Sequence, residues 1–446
     1  MSESTPNWGI EPVPERLRVL GFLDTTVLWG NLGVSLLVLV AGALLVPALS
    51  LPQAVVAVLV GCLVGNLMLG VAGAIGADGR VPAMVLLRAP LGRRGSYSAT
   101  AINAAQCLGW AVFELIVIAT AAAALSDVLL GFRAQWAWTL VFGAIAAGLA
   151  WAGPISVVRK ILKRVVVWAV LASLVYLTWW AIDGADLRAA WDRPGEGGLP
   201  LWVAIDLVVA LTVSWIPLVA DYTRFSRDRR SAFAGVTVGY FTASAWMFLL
   251  GIVLVLGRGL DDAASLPAAV ASAGLASALA LLAVTVDETD EAFANVYSAG
   301  VSLQNAATRV PQRVLVTIVA AVATLGALVI DLASYESFLL LLGSFFVPLF
   351  GVLLGDWLAR GGHYAERDVF GAPAFRPVQL AAWFLGFALY QWLNPLGPTW
   401  WTDLLAHTSP PDVAVGSTIP SFAVAFALAA GAGAAGRRWR AAESTA

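Results

Sequence analysis

Asp287, Glu288, Asp290 and Glu291 fall within five residues in the stretch VTVDETDEAFANVYS (284–298), inside a segment otherwise apolar enough to cross a bilayer. On a helix, Asp287, Asp290, Glu291, Ala294, Asn295 and Ser298 share one face, so carboxylates, a carboxamide and a hydroxyl converge there. No Lys or Arg lies in the stretch. Ionised carboxylates in hydrocarbon must face water, bind a cation or hold a proton, which is the chemistry of a cation-coupled site. Glu288 points about 100° away from Asp287, so Asp287 and Asp290 are expected to matter more. A second candidate is NAAQCLGWAVFE, where Trp110 and Glu114 lie one turn apart, so that an indole plane and a carboxylate address the same small molecule. Asn295, with donors and an acceptor, suits the edge of a heterocycle or a tie between helices.

The elements that hold these residues follow from composition. The chain has 446 residues, is 60% hydrophobic and 12% charged, and has a mean hydropathy of +0.84, as expected of a polytopic membrane protein. Its net charge of −2 says nothing about partners. Cys62 and Cys107 both lie in apolar runs, which excludes a disulfide framework, and His363 and His407 give no metal-ligand spacing. The polar first 21 residues lack a cleavable apolar core, so a cytoplasmic N-terminal tail is expected.

Twelve apolar spans are counted, numbered one to twelve in chain order: 22–46, 53–76, 98–126, 136–152, 161–183, 201–220, 231–256, 268–303, 312–331, 335–357, 378–396 and 418–436. With both termini inside, Arg133, Arg188, Arg193 and Arg258 alone among the 26 Lys and Arg fall outside, in agreement with the positive-inside rule. Span one is interrupted at Trp29, Gly30, Asn31 and Gly33. Span six is interrupted at Pro217, with Asp206, Thr212 and Ser214 adding polarity. Two interruptions five spans apart point to inverted repeats of five helices with a site near the membrane midplane. The division expected is a tail over 1–21, a ten-helix transport core over 22–357, two further transmembrane helices over 358–436 and a cytoplasmic tail over 437–446. Asp221 and Asp356, at span ends, are expected to latch or cap.

In order along the chain, ERLRVLGFLDTTVLWGNLGVS, RAPLGRRGS, QCLGWAVFE, ADYTRFSR, FANVYSAGVS and GSFFVPLFGVLLGDW resemble the nucleobase:cation symporters, which include purine-cytosine permeases, hydroxymethylpyrimidine transporters and hydantoin transporters. The resemblance implies an all-α leucine-transporter-like fold of twelve helices, with helices one and six broken. It implies that helices three, six and eight line the substrate site and that sodium sits between helices one and eight. It places the substrate-stacking tryptophan at Trp110, Glu114 where a glutamine is usual, and the substrate-reading asparagine at Asn295. Sodium ligands fall on Thr289 and Asp290 and, as main-chain carbonyls, near Gly33 and Leu36. The second aromatic wall falls at position 212, where this chain has Thr212, with Trp215 three residues later.

A carboxylate accepts two hydrogen bonds side by side, so Glu114 favours an amino group beside a ring N–H, or beside a ring nitrogen that can hold a shared proton, as in aminopyrimidines such as cytosine or hydroxymethylpyrimidine. Purines, hydantoins and allantoin are alternatives. The function expected is import of a small planar N-heterocycle by alternating access in the cell membrane, coupled to Na⁺ or, alternatively, H⁺. No cofactor, nucleic-acid partner or obligatory protein partner is expected; membrane lipid is the surroundings. A membrane-embedded enzyme would need a nucleophile, base or metal constellation that the spans do not supply, and an ion channel would normally repeat its filter in an oligomer.

Overall fold

The computed structural model describes residues 9–152, 167–259, 266–330, 335–408, 411 and 415–445. Each expected span falls on helix within these residues; the basic run at Arg159, Lys160, Lys163 and Arg164 lies outside them. Among the described residues, seven helices are each long and apolar enough to cross a membrane, and span one, a bent pair, would make an eighth. The sole β feature among the described residues is a parallel bridge between Leu20 and Ser226. Through it, the Leu20 N–H donates to Phe225 O and the Arg227 N–H to Leu20 O, tying the entry of span one to the exit of span six.

Both interruptions break as their residues demand. Span one runs as Phe22–Leu32 and Leu36–Ala43, with a 57° bend at the break. Gly33 ends the first half, and a Cβ there would lie 2.9 Å from Ala243 Cβ, so span seven can approach the break closely. Ser35 opens the second half in an extended conformation and caps it by accepting from the Leu37 N–H. Span six runs as Leu201–Val213 and Ile216–Thr223, and Pro217 sits in the first turn of the second half, where its missing N–H costs no hydrogen bond. Span two, Leu51–Gly79, lays Gly61, Gly65 and Gly76 against span six at Val208, Thr212 and Ala220.

Burial separates the site-bearing helices from the lipid-facing ones. In the apolar window of span six 94% of residues are enclosed, against 28% in span four and 22% in span twelve. The outer spans show lipid apolar side chains such as Leu63, Trp168 and Phe384. Asp206, one of the polar residues of span six, accepts from the Ser417 and Thr418 N–H groups (2.6 and 3.3 Å) at the start of the helix of span twelve. Asp356 pairs with Arg360 at 2.7 Å and accepts from the Tyr364 hydroxyl, the expected end-of-helix role. Asp221 is buried and accepts from the Ala83 N–H, a latch of the expected kind. Arg224, one turn on, reaches the Tyr297 hydroxyl of span eight and Gly9 O. Cys62 and Cys107 are free and buried.

Asp228 caps the helix of span seven, Arg229–Arg258, by accepting from the Ser231 N–H (2.8 Å) and hydroxyl (2.9 Å). The Ser231 N–H holds its carboxyl below the ordinary carboxylate value of 3.8. Because the folded pKa is the lower one, the stabilisation is present above the unfolded value and is lost as pH falls through the folded one. Asp228→Ala should cost about 0.5–2 kcal/mol at neutral pH, read as a lower thermal unfolding midpoint in detergent, with the gap to wild type closing in acid.

Candidate functional site

The site forms where the break of span one meets Asp287, Glu288 and Asp290 of span eight. Span eight runs as Leu266–Ser272, Leu275–Asp287 and Thr289–Gln304; the last two meet at Glu288, which keeps right-handed helical angles and donates its N–H to Val284 O. Here residues more than 250 positions apart meet. The Asn31 amide of span one donates to Asp287 Oδ1 (2.9 Å) and Asp290 Oδ2 (2.8 Å), spending both its N–H bonds on two carboxylates. Glu288 accepts from the Ser35 hydroxyl (2.8 Å) and takes the Leu36 N–H on both carboxylate oxygens (3.0 and 2.8 Å). An anion at the N-terminus of the second half of span one satisfies N–H groups that the helix cannot.

Glu288, expected to matter less than Asp287 and Asp290, also takes part in this meeting of spans one and eight. Glu288 points away from Asp287 on a regular helix, and that direction aims it at span one, where it is fully buried. The expected role of Leu36 changes as well: it is the first residue of a half-helix, so its N–H rather than its carbonyl is the freed group, and it meets a carboxylate. Gly33 sits in the break as expected. Thr289 returns its hydroxyl to Val286 O at 2.7 Å, on its own helix. Asp290 sits at the joint between spans one and eight, where Asp290 Oδ1 and Asp287 Oδ2 are buried with no hydrogen-bond donor.

Glu114 comes to the same place from span three, Ser96–Leu130. Glu114, Glu288 and Glu291 are all buried and each offers an oxygen within 4.8 Å of the others. Two unit charges at that separation repel by about 3 kcal/mol at an effective dielectric constant of about 20. Among the described residues, no Lys, Arg or His forms an ion pair with these glutamates or with Asp287 and Asp290. The cluster therefore needs a cation, a proton or a ligand donor. Hard oxygen atoms without donors are a donor set that fits Na⁺.

Trp110 lies one turn before Glu114, 7% exposed, with its ring edge-on to Phe338 (centroids 5.4 Å apart). Asn295 is buried and donates to Glu291 O of its own helix (3.2 Å). Thr212 packs against Gly65 of span two and donates to Val208 O (3.4 Å), so it belongs to the packing of spans two and six. Trp215 stands at the break of span six and packs edge-on against Trp29 (5.8 Å) and Tyr240 (6.1 Å). Sequence reasoning missed Asn31 and Ser35 as parts of the site. Asn31 had a usable signal, as a carboxamide beside two glycines in an apolar span.

A model of the permeases for cytosine/purines, uracil, thiamine and allantoin matches residues 12–394. The chain is 25% identical to the cytosine permease of Escherichia coli (strain K12) over 346 residues, 75% of this chain and 78% of that protein. It is 26% identical to the hydantoin permease of Microbacterium maritypicum over 208 residues, 46% of this chain and 41% of that one. The fold matches that of Mhp1, a nucleobase-cation-symport-1 family transporter, closed with bromovinylhydantoin bound. The TM-score is 0.78 and the identity 20%, over 97% of this chain and 95% of that one. The inward-facing conformation of Mhp1 matches with a TM-score of 0.75 at 20% identity, over 99% of this chain and 96% of that one. The leucine-transporter-like fold, with spans one and six broken, is thus the fold of this chain. It is a multi-pass membrane transporter and not an enzyme, and it belongs to the family of permeases for cytosine/purines, uracil, thiamine and allantoin.

Proposed function

We propose that this protein imports a small planar N-heterocycle of the aminopyrimidine class, cytosine being the type, together with a coupling cation by alternating access. The observation that carries the reading is the meeting of Trp110 and Glu114 with the joint between spans one and eight, so that one buried centre holds a stacking surface, a heterocycle-reading carboxylate and donor-free oxygens. Cargo and ion then bear on the same joint, and either changes the setting of the other. Purines, hydantoins and allantoin remain the competing cargoes within the family. Asp290, with Asp287 and the break at Gly33, is the cation site of this reading. Na⁺ is the coupling ion, and H⁺ is the alternative the same carboxylates allow. Both termini lie in the cytoplasm, and the transport core is 22–357.

The test is uptake of radiolabelled cytosine, uracil, hydantoin and allantoin into proteoliposomes under imposed Na⁺ or pH gradients. The proposal expects saturable uptake of cytosine that follows the Na⁺ gradient; uptake of allantoin or hydantoin alone would overturn the aminopyrimidine assignment. Glu114→Gln should weaken the transported aminopyrimidine by about 1–3 kcal/mol, or about 5- to 150-fold, through loss of a charged hydrogen-bond acceptor. Trp110→Ala should cost a similar amount through lost stacking. Equilibrium binding in detergent reads both, and unchanged affinity in a correctly inserted variant removes that residue from the site.

A further inference from the structure

The stretch RAPLGRRGS, which joins spans two and three, carries Arg88, Arg93 and Arg94 within seven residues. Arg88 is buried and donates from Nε to Asn305 Oδ1 (2.6 Å) and from Nη2 to Asn305 O (2.8 Å), both neutral acceptors. Burial, with the charge of Arg93 added, lowers its pKa, yet a guanidinium keeps its proton at any pH the protein meets. Among the described residues, no carboxylate forms an ion pair with Arg88, Arg93 or Arg94. The short helix Glu366–Phe370 packs on this stretch, but its carboxylates are engaged elsewhere. Asp368 pairs with Arg360 (3.0 Å) and accepts from the Ala365 N–H (3.0 Å), and Glu366 lines a separate crevice with Arg18, Arg80 and Arg229. A buried cation facing only neutral oxygens is costly unless an anion answers it.

The main chain holds these arginines in a clasp with the entry of span eleven. The Arg93 and Arg94 N–H groups donate to Pro373 O and Ala374 O (2.8 Å each), and the Arg376 N–H donates to Leu91 O (3.0 Å). Gly92 permits the approach, with φ at +88° and a position where a Cβ would lie 2.8 Å from Ala374 O. The side chains of Arg93 and Arg94 are left exposed. Next to the clasp, at the starts of spans three and eleven, Tyr97, Phe375 and Val378 are exposed as well. Guanidinium groups at the end of the bundle above uncovered apolar side chains match a molecule with a phosphate at one end and hydrocarbon at the other. We infer that the clasp is a binding site for an anionic phospholipid, its phosphate held by Arg93 and Arg94 over the buried charge of Arg88 and an acyl chain lying along Phe375 and Val378. The site is on the face where spans two and three are joined, cytoplasmic in the reading above, and it is independent of which cargo is carried.

The test uses the full-length protein in detergent, titrated with phosphatidylglycerol, phosphatidylcholine, glycerol 3-phosphate or inorganic phosphate. Binding is followed by thermal shift, and retained lipid is counted by native mass spectrometry. Phosphatidylglycerol should raise the unfolding midpoint and stay bound, less so as salt is raised, whereas the other three should do neither. Arg93→Gln/Arg94→Gln keeps the main-chain clasp and should weaken phosphatidylglycerol by about 25-fold, about 5-fold for each charge. The same loss of charge in Arg230→Gln/Arg309→Gln, two exposed arginines outside the clasp, should leave it bound. Comparison of the lipids on the unsubstituted protein does not depend on any variant folding. No preference for phosphatidylglycerol over phosphatidylcholine there would overturn the inference. A preference that survives Arg93→Gln/Arg94→Gln would place the site elsewhere, and one lost equally in both double variants would mark a general effect of surface charge; either overturns it. Stabilisation by glycerol 3-phosphate or inorganic phosphate equal to that by phosphatidylglycerol would make the clasp a site for free phosphate and overturn the lipid assignment.

Discussion

Glu288→Ala should abolish uptake while leaving the protein nearly as stable as wild type. The substitution strands the Ser35 hydroxyl and the Leu36 N–H, two buried donors worth about 1–3 kcal/mol each. It also removes one of three carboxylates packed within 4.8 Å, relieving a repulsion of about 3 kcal/mol per pair at an effective dielectric constant of about 20. The two terms largely offset in stability. They do not offset in function, because the second half of span one is then no longer fastened to span eight, and the joint between cargo and ion is lost. Glu288→Gln keeps one acceptor for Leu36 and should fall between the two. Thermal unfolding and proteoliposome uptake, measured on the same preparations, check this; a folded Glu288→Ala protein with normal uptake would show that the fastening is dispensable.

Asn31→Leu is the second large effect. It withdraws two hydrogen bonds to carboxylates, each worth about 1.5–3 kcal/mol, and leaves Asp287 and Asp290 facing each other with no common donor. Cation binding should weaken by about 100-fold or more, since one amide sets the spacing of both carboxylates. Isothermal titration with Na⁺, or the Na⁺ concentration for half-maximal uptake, reads this directly. A wild-type Na⁺ dependence in Asn31→Leu would remove the joint from coupling.

Much of this architecture is legible in the sequence because hydrocarbon permits so little else. Apolar runs must be helices, and Gly33 and Pro217 mark two breaks where the chain lacks a side chain or a donor. The Trp110 and Glu114 pair is legible for the same reason, as helical spacing fixes their relation before any tertiary contact forms. The partner of Glu288 is not legible: its backbone keeps right-handed helical angles, and its carboxylate meets the N-terminus of a half-helix 252 residues away in sequence. Asn31 was visible as a polar interruption, but its two partners become apparent only when spans one and eight meet. Thr212 shows the opposite failure: its position matches an aromatic wall in the family pattern, yet its side chain is taken up by the approach of Gly65.

The central claim is that Asp290, held with Asp287 by Asn31, carries the coupling cation for the cargo on Trp110 and Glu114. Its most direct test is the affinity of the purified protein for its heterocycle as Na⁺ is raised at fixed pH, in wild type and in Asp290→Asn. Affinity should rise with Na⁺ in the wild type and be indifferent to it in Asp290→Asn. Wild-type affinity indifferent to Na⁺, or an Asp290→Asn protein that still responds to it, would contradict the account.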